Sequence, residues 1–280
     1  MLGRHLIKKL LLTNEFNLFC QSRIKTDGLV FCDPTVIESI NNLLDEVNPD
    51  VIINLIALTD VDFCEFNINH AYTVNNKIVE NIAFWILSKK SKAFLVQIST
   101  DQLYSGNGFS SESDIFIPNV YAYSKYAGEL AAKNVSNHLV VRTNFFGKSI
   151  TPGRYSFSDW IVNSLKENIT INLADDILFT PLSIGYLCEI LIQAIKNNIN
   201  GTFNFGSGSG ISKYEFGLKL SKLLHLNPNL IIKAKAFDIG FKVARPLDMR
   251  MDVGGIESHL GKMPDINYLL EQQSIDYLKT

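Results

Sequence analysis

The chain has 280 residues, 46% of them apolar and 19% charged, with a formal net charge of −2 at pH 7. That much apolar material fills a sizeable core and excludes global disorder, and the absence of a basic block argues against a nucleic-acid partner. No apolar run approaches the ~18 residues of a transmembrane helix, so no membrane partner is expected.

The elements follow in chain order. Residues 2–13 mix charges into an apolar period and read as an amphipathic helix, with Leu2, Leu6, Ile7 and Leu10 on one side. Phe16–Cys20 reads as a strand, and Val30-Phe31-Cys32 as a second one ending at Asp33. A helix is expected over Thr35–Val47, stopped by Asn48-Pro49. Val51–Ile56 is a continuous apolar strand of the kind buried on both faces. A long helix over His70–Lys89, a strand at Phe94–Ile98, a helix over Tyr121–Asn134 and a strand at Leu139-Val140-Val141 complete this rhythm. Alternating strands and helices predict an α/β doubly wound parallel sheet, whose ligands bind at the carboxyl ends of the strands. Beyond about residue 145 the rhythm loosens. Helices are expected over Ser158–Lys166, Ile184–Lys196 and Lys213–Leu224, with a glycine-rich turn at Gly206–Gly210. Ala244–Gly261 carries few signals. The expected division is residues 1–145 as a dinucleotide-binding domain and 146–280 as a smaller substrate-binding lobe interleaved with it.

Cys20, Cys32, Cys64 and Cys188 form no C-x-x-C pair, so neither a metal site nor a disulfide framework is suggested. They read as buried reduced thiols of a cytoplasmic protein.

The chemistry sits in two segments. Tyr121 and Lys125 lie four apart on a predicted helix and so share a face. An ammonium there can lower the phenol's pKa and make it a usable proton donor. Ser99-Thr100-Asp101 ends the strand before it, and the Thr100 hydroxyl completes a carbonyl-reducing constellation. Asp101 reads as a turn or cap residue. Arg142 reads as an anchor between the sheet and the second lobe.

At the nucleotide end the chain opens on a helix, where a dinucleotide fold has a strand and a glycine-rich turn first. Gly3 is placed as the last glycine of such a fingerprint. Without a preceding central strand two neighbours lack ladder partners. The expectation is that the true start lies upstream of Met1, the alternative being a truncated product. Arg23 is placed to meet a 2′-phosphate, favouring NADP over NAD, and Asp33 to meet the adenine end or to cap the helix from Thr35.

These residues resemble a known family. Ser99-Thr100-Asp101-Gln102-Leu103-Tyr104-Ser105-Gly106 is similar to the S-T-D-x-V-F-x-G segment of extended short-chain dehydrogenases/reductases, dTDP-4-dehydrorhamnose reductase branch. Tyr121–Glu129 resembles Y-G-x-[ST]-K-x-x-G-E, and Thr59–Glu65 resembles T-x-V-D-x-x-E. Val74-Asn75, Val141-Arg142-Thr143 and Ala244-Arg245-Pro246 match in the same order.

The resemblance implies a Rossmann-type fold with NADPH or NADH as cofactor. It implies reduction of a 4-keto group on a nucleotide-activated deoxysugar, for polysaccharide or cell-surface sugar biosynthesis. Tyr121 gives the proton, Thr100 binds the same oxygen, and Lys125 holds the nicotinamide ribose. Asn75 kinks its helix and holds a relay water. Ala57 belongs to the wall beside the cofactor, where Leu55 and Ile56 replace smaller residues and are expected to crowd it. Arg245 is the cation for the sugar nucleotide, with Arg154 and Lys148 as further candidates and Trp160 and Phe157 as stacking surfaces. A homodimer is an open expectation. The alternatives are a non-catalytic, nucleotide-binding regulatory subunit and a related epimerase or dehydratase. Gln102 stands where a dehydratase has a glutamate, which disfavours the last.

Overall fold

In the computed structural model, residues 1–24 and 28–279 are described. The first half contains α1 (Leu2–Thr13), β1 (Gln21–Ser22), β2 (Val30–Phe31), α2 (Ile37–Val47) and β3 (Val51–Asn54). Then come α3 (Val61–Phe66), α4 (Ile68–Tyr72), a π-helical turn (Thr73–Lys77), α5 (Ile78–Ser88), β4 (Phe94–Ile98), α6 (Val120–Ala132) and β5 (His138–Thr143). The second half adds β6 (Phe145–Phe146), α7 (Phe157–Lys166), β7 (Ile171–Ala174), β8 (Leu178–Phe179), β9 (Leu182–Ser183), α8 (Ile184–Lys196) and β10 (Gly201–Phe205). It closes with β11 (Ile211–Ser212), α9 (Lys213–Leu223), β12 (Ile231–Ala234), α10 (Ala236–Ile239), β13 (Asp248–Met249), α11 (Gly254–Leu260) and α12 (Ile266–Leu278).

β10, β5, β4 and β3 form one parallel sheet in that order. Its two faces explain its sequence. On β4, Phe94 and Val96 join a core with Leu2, Leu6 and Leu10 of α1 and Leu187 and Leu191 of α8. Leu95, between them, joins Ile40 and Leu44 of α2 and Ile82 and Ile86 of α5. β5 repeats this, with Leu139 and Val141 on one face and Val140 on the other. A strand that feeds two apolar layers is apolar throughout, and helices on both faces make the sheet doubly wound. β10 comes from the second half of the chain, so the two halves share one sheet and one core.

Several expectations change. Val51–Ile56 is not buried on both faces: Val51, Ile52 and Ile53 are half-buried, because β3 pairs only with β4 among the described residues. Phe16–Cys20 forms no regular strand. The ladder there is β1 with β2, a separate pair of two residues each, and among the described residues it reaches back only to Cys20, whose carbonyl accepts from the Val30 N–H at 2.8 Å. The second helix starts at Ile37 rather than Thr35, since Asp33 folds the chain into a turn by accepting from the Thr35 N–H (3.0 Å) and hydroxyl (2.7 Å). The long helix begins at Ile68, and the π turn interrupts it before Ser88. Ala244–Gly261, which reads weakly in sequence, holds β13 and α11. Cys32, Cys64 and Cys188 are buried, but Cys20 is only half-buried, at the open β1 side.

One polar cluster crosses this interior. Arg142 of β5 donates to both carboxylate oxygens of Glu129 on α6, at 2.9 and 2.7 Å. It also donates to the Tyr104 hydroxyl (2.8 Å) and the Glu112 carbonyl (2.7 Å). Tyr104 passes the chain on to Asn204 of β10 at 2.6 Å, and Ser99 donates to Glu129 at 2.5 Å. Arg142 is 1% and Glu129 0% exposed, so neither charge has water to fall back on. Breaking one partner of such a pair costs about 3–5 kcal/mol. Arg142→Met is therefore expected to lower unfolding free energy by about that amount in denaturant titration. A loss within experimental error would show that the pair does not hold the two halves together.

Candidate active site

The site is built where β4 ends against the start of α6. Asn119 caps α6, its side chain accepting from the Ala122 N–H at 2.9 Å, and Glu65 of α3 accepts from the Val120 N–H at 2.9 Å. Carboxylate and amide oxygens at a helix N-terminus satisfy its unpaired N–H groups and its dipole. They fix the first turn, which carries Tyr121, and Lys125 follows one turn later on the same face. Both are buried, and so is Thr100.

The Thr100 hydroxyl lies near enough to the Tyr121 phenol to act on its ionisation. Lys125 turns its amine to the Ile98 carbonyl at the end of β4, donating at 2.6 Å. The strand end thus touches both helix residues. The electrostatics depart from expectation. Burial pushes Tyr121 above the ordinary phenol value. The neighbouring Thr100 hydroxyl offsets this in part, and the charges of Asp101 and Cys64 add to it. Lys125 does not acidify Tyr121 here: burial pushes its own pKa down to about 8, Glu129 working in the opposite direction. Tyr121 is accordingly a protonated donor at neutral pH, and Lys125 is still mainly charged.

Asn75 sits in the π turn. Its side chain accepts from the Leu58 N–H (2.8 Å) and donates to the Leu58 carbonyl (3.0 Å) and the Ser124 hydroxyl (2.9 Å). The carboxamide clamps the chain after β3 to α6, and its N–H groups, expected to hold a relay water, are taken by these bonds. The backbone carbonyl of Asn75 faces Gly128 of α6 so closely that a Cβ there would lie 2.3 Å from it. A π turn at a functional site commonly has such a packing reason.

At the nucleotide end, Gly3 packs against β3's extension, a Cβ on it meeting Leu55 Cδ1 at 3.3 Å. Leu55 and Ile56 divide between the two apolar layers, and Ala57 follows, half-buried. Asp33 and exposed Arg23 lie within electrostatic reach of each other. The Asp33 carboxyl is held below its usual range chiefly by the Thr35 hydroxyl, with Arg23 adding to it.

The second half of the chain is less convergent. Arg245 donates to Asp62 of α3 at 2.9 Å and lies over the Phe241 ring, so its charge is already met by the Thr59–Glu65 segment. Lys148 and Arg154 line a separate hollow of about 490 Å³ with Tyr155, Asp159 and Tyr277, which neither Arg245 nor Tyr121 lines. Phe157 stacks on Trp160 and packs edge-on to Phe179, placing it in the aromatic core of the lobe.

Two residues were missed as site neighbours. Asp101 does stand at a turn, its carbonyl accepting from the Tyr104 N–H at 3.1 Å, but its side chain does more than shape the turn. It is buried, accepts from Asn144 at 2.8 Å and lies 3.4 Å from the Thr100 hydroxyl. Lys213 of α9 reaches it electrostatically from 112 residues further along the chain, too far for any spacing pattern to reveal.

The donor set suits a dinucleotide. Lys125 has three N–H donors and gives one to Ile98; among the described residues nothing takes the other two. An ammonium with spare donors beside a phenol fits the vicinal hydroxyls of a nicotinamide ribose. A parallel doubly wound sheet with this trio at its carboxyl edge defines an extended short-chain dehydrogenase/reductase.

The comparisons agree. The profile of the RmlD substrate binding domain family matches residues 1–272, and the chain belongs to that family. A probable low-salt glycan biosynthesis reductase of Haloferax volcanii is 30% identical over 235 residues, covering 82% of this chain and 78% of that one. The dTDP-4-dehydrorhamnose reductase of Aggregatibacter actinomycetemcomitans is 26% identical, covering 94% and 91%. The crystal structure of dTDP-4-dehydrorhamnose reductase from Bacillus anthracis in complex with NADP superposes with a TM-score of 0.86 at 26% identity, over 98% of this chain and 95% of that one.

Gly128→Ala tests the clamp. The added methyl meets a backbone carbonyl, which no rotamer change relieves, so a loss of about 1–3 kcal/mol is expected together with reduced turnover. Wild-type stability and turnover would show that α6 is not held against the π turn.

Proposed function

We propose that the chain uses NADPH or NADH to reduce the 4-keto group of a nucleotide-activated deoxysugar, in polysaccharide or cell-surface sugar biosynthesis. The observation that carries the assignment of roles is the buried Tyr121 phenol beside the Thr100 hydroxyl, at the strand end whose Ile98 carbonyl holds Lys125. The bound dinucleotide supplies the hydride. Tyr121 gives its phenol proton to the keto oxygen as that oxygen becomes an alkoxide. Its raised pKa keeps the proton in place until negative charge develops in front of it. Thr100 donates to the same oxygen, and in a dry site such a donor acts without reorganising. Lys125 holds the ribose and brings a positive charge to the tyrosinate that remains. The dinucleotide residues are Gly3, Arg23, Asp33, Ala57, Asn75, Tyr121 and Lys125. Asn75 acts by fixing Leu58 and Ser124 rather than by touching the ligand. Arg245 meets the substrate pyrophosphate by exchanging Asp62 for it.

One observation favours a second reading. Phe237 of α10 is 93% exposed and Phe241, four residues on, is 41% exposed beside Arg245, an apolar surface that suits a non-catalytic subunit docking on another protein. NADPH consumption with a dTDP-4-keto-6-deoxysugar separates the two.

The assignment of roles is tested by Tyr121→Phe. Turnover is expected to fall by ~10²–10⁴-fold while dinucleotide affinity stays within a few-fold of wild type. Wild-type turnover in this variant would remove the phenol from the mechanism.

A further inference from the structure

Asp101 is a buried carboxylate whose side-chain hydrogen-bond partners among the described residues are Asn144 and Thr100, and the mechanism above leaves it without a task. One of its oxygens accepts from Asn144 at 2.8 Å. The other receives the Thr100 hydroxyl at a long 3.4 Å. Thr100 Oγ1 also accepts from the Gln102 N–H at 3.2 Å. A hydroxyl has one proton and two lone pairs. While Thr100 gives its proton inward to Asp101, it has none to give to a keto oxygen.

We propose that Asp101 is a positioning residue: its protonation state decides whether the Thr100 hydroxyl donates inward to the carboxylate or outward to the substrate oxygen, and Lys213 biases that choice. Protonated Asp101 donates to Thr100 instead of accepting from it. Thr100 then accepts from Gln102 and Asp101 with its two lone pairs, and its proton is released toward the substrate. Asn144 keeps the far carboxyl oxygen in both states. The resulting chain runs Asp101 to Thr100 to alkoxide, each member polarising the next.

The groups around Asp101 support a carboxyl that titrates in a working range. Burial raises its pKa to about 6, against the opposing pull of Lys213, Asn144 and Thr100. Lys213 arrives from α9 with its amine 3.3 Å from the Phe179 ring centre and 4.5 Å from that of Phe157. Cation–π contacts hold it without a carboxylate bond of its own. Its own pKa is lowered by burial to about 8, so it stays charged while Asp101 titrates. From α6 Tyr121 faces Asp101, whose charge acts on the phenol directly, while Lys125 and Glu129 are engaged with Ile98 and Arg142.

The sign follows. Above about pH 6 the ionised carboxylate reclaims the Thr100 proton, so turnover in the reductive direction falls as pH rises through that value. A competing bond this long weakens one oxyanion donor without deleting it, so a drop on the order of ten-fold is expected.

This inference rests on the proposed reduction, and its test separates the two. Turnover is measured from pH 5 to 8.5 with NADPH and a dTDP-4-keto-6-deoxysugar, for wild type, Asp101→Asn, Lys213→Met, Lys213→Arg and Tyr121→Phe. Asp101→Asn gives Thr100 a permanent donor and is expected to lose the limb near pH 6. Lys213→Met removes the charge that favours ionisation, moving the limb up by about one unit. Lys213→Arg, which keeps the charge, returns it to the wild-type position. A wild-type limb in Asp101→Asn, or an unmoved midpoint in folded Lys213→Met, overturns the positioning role. If Tyr121→Phe is inactive while those variants keep the wild-type profile, only this inference fails. If Tyr121→Phe keeps full turnover, the reading of the site fails with it.

Discussion

Glu129 and Arg142 exchange two charge-assisted hydrogen bonds in the interior between α6 and β5. The rest of the site depends on that contact. Burial opposes the charge on Arg142, but its bonds to Glu129 outweigh this and hold the guanidinium above even its usual pKa. Desolvated charges tolerate little displacement, because every alternative position leaves them unpaired. Glu129 lies one turn beyond Lys125, so α6 is keyed to the sheet at the level where its reactive residues meet the end of β4. Ser99 binds the same carboxylate, and Tyr104 and Asn204 extend the network to β10. The end of β4, α6 and β10 are thereby referred to one ion pair.

Much of this was legible because local pattern and global fold agree. Phe94–Ile98 and Ile184–Lys196 have the predicted bounds, since an apolar run serving two layers and an amphipathic run serving one leave few alternatives. Tyr121 and Lys125 were readable as a pair because helix spacing alone puts them on one face. Val51–Ile56 misled for a physical reason: its sequence is that of a strand with neighbours on both sides, and in the structure it has one. Gly201–Phe205 was invisible because Thr202 and Asn204 interrupt its apolar run. Asn204 is polar at a buried position because it answers Tyr104 and two backbone carbonyls.

The rest of the site was illegible because its members are distant in sequence. No spacing rule links Asp101 to Lys213, or Arg245 to Asp62. Each acidic residue of Thr59–Glu65 has its own partner: Asp60 caps α3, Asp62 binds Arg245 and Glu65 caps α6. The phenol's acidity was misjudged in the same way. Spacing shows that an amine is near, whereas only the packed interior shows that burial outweighs it and that the amine's nearest acceptor is a strand-end carbonyl.

The most direct measurement follows the hydride itself. NADPH deuterated at the transferred C4 position is incubated with the chain and a dTDP-4-keto-6-deoxysugar, and the sugar product is examined by NMR. Stoichiometric oxidation of the cofactor, with deuterium at sugar C4 in a single configuration, is the expected result. Unchanged NADPH, or a sugar altered with no deuterium gained, would contradict reduction at this site.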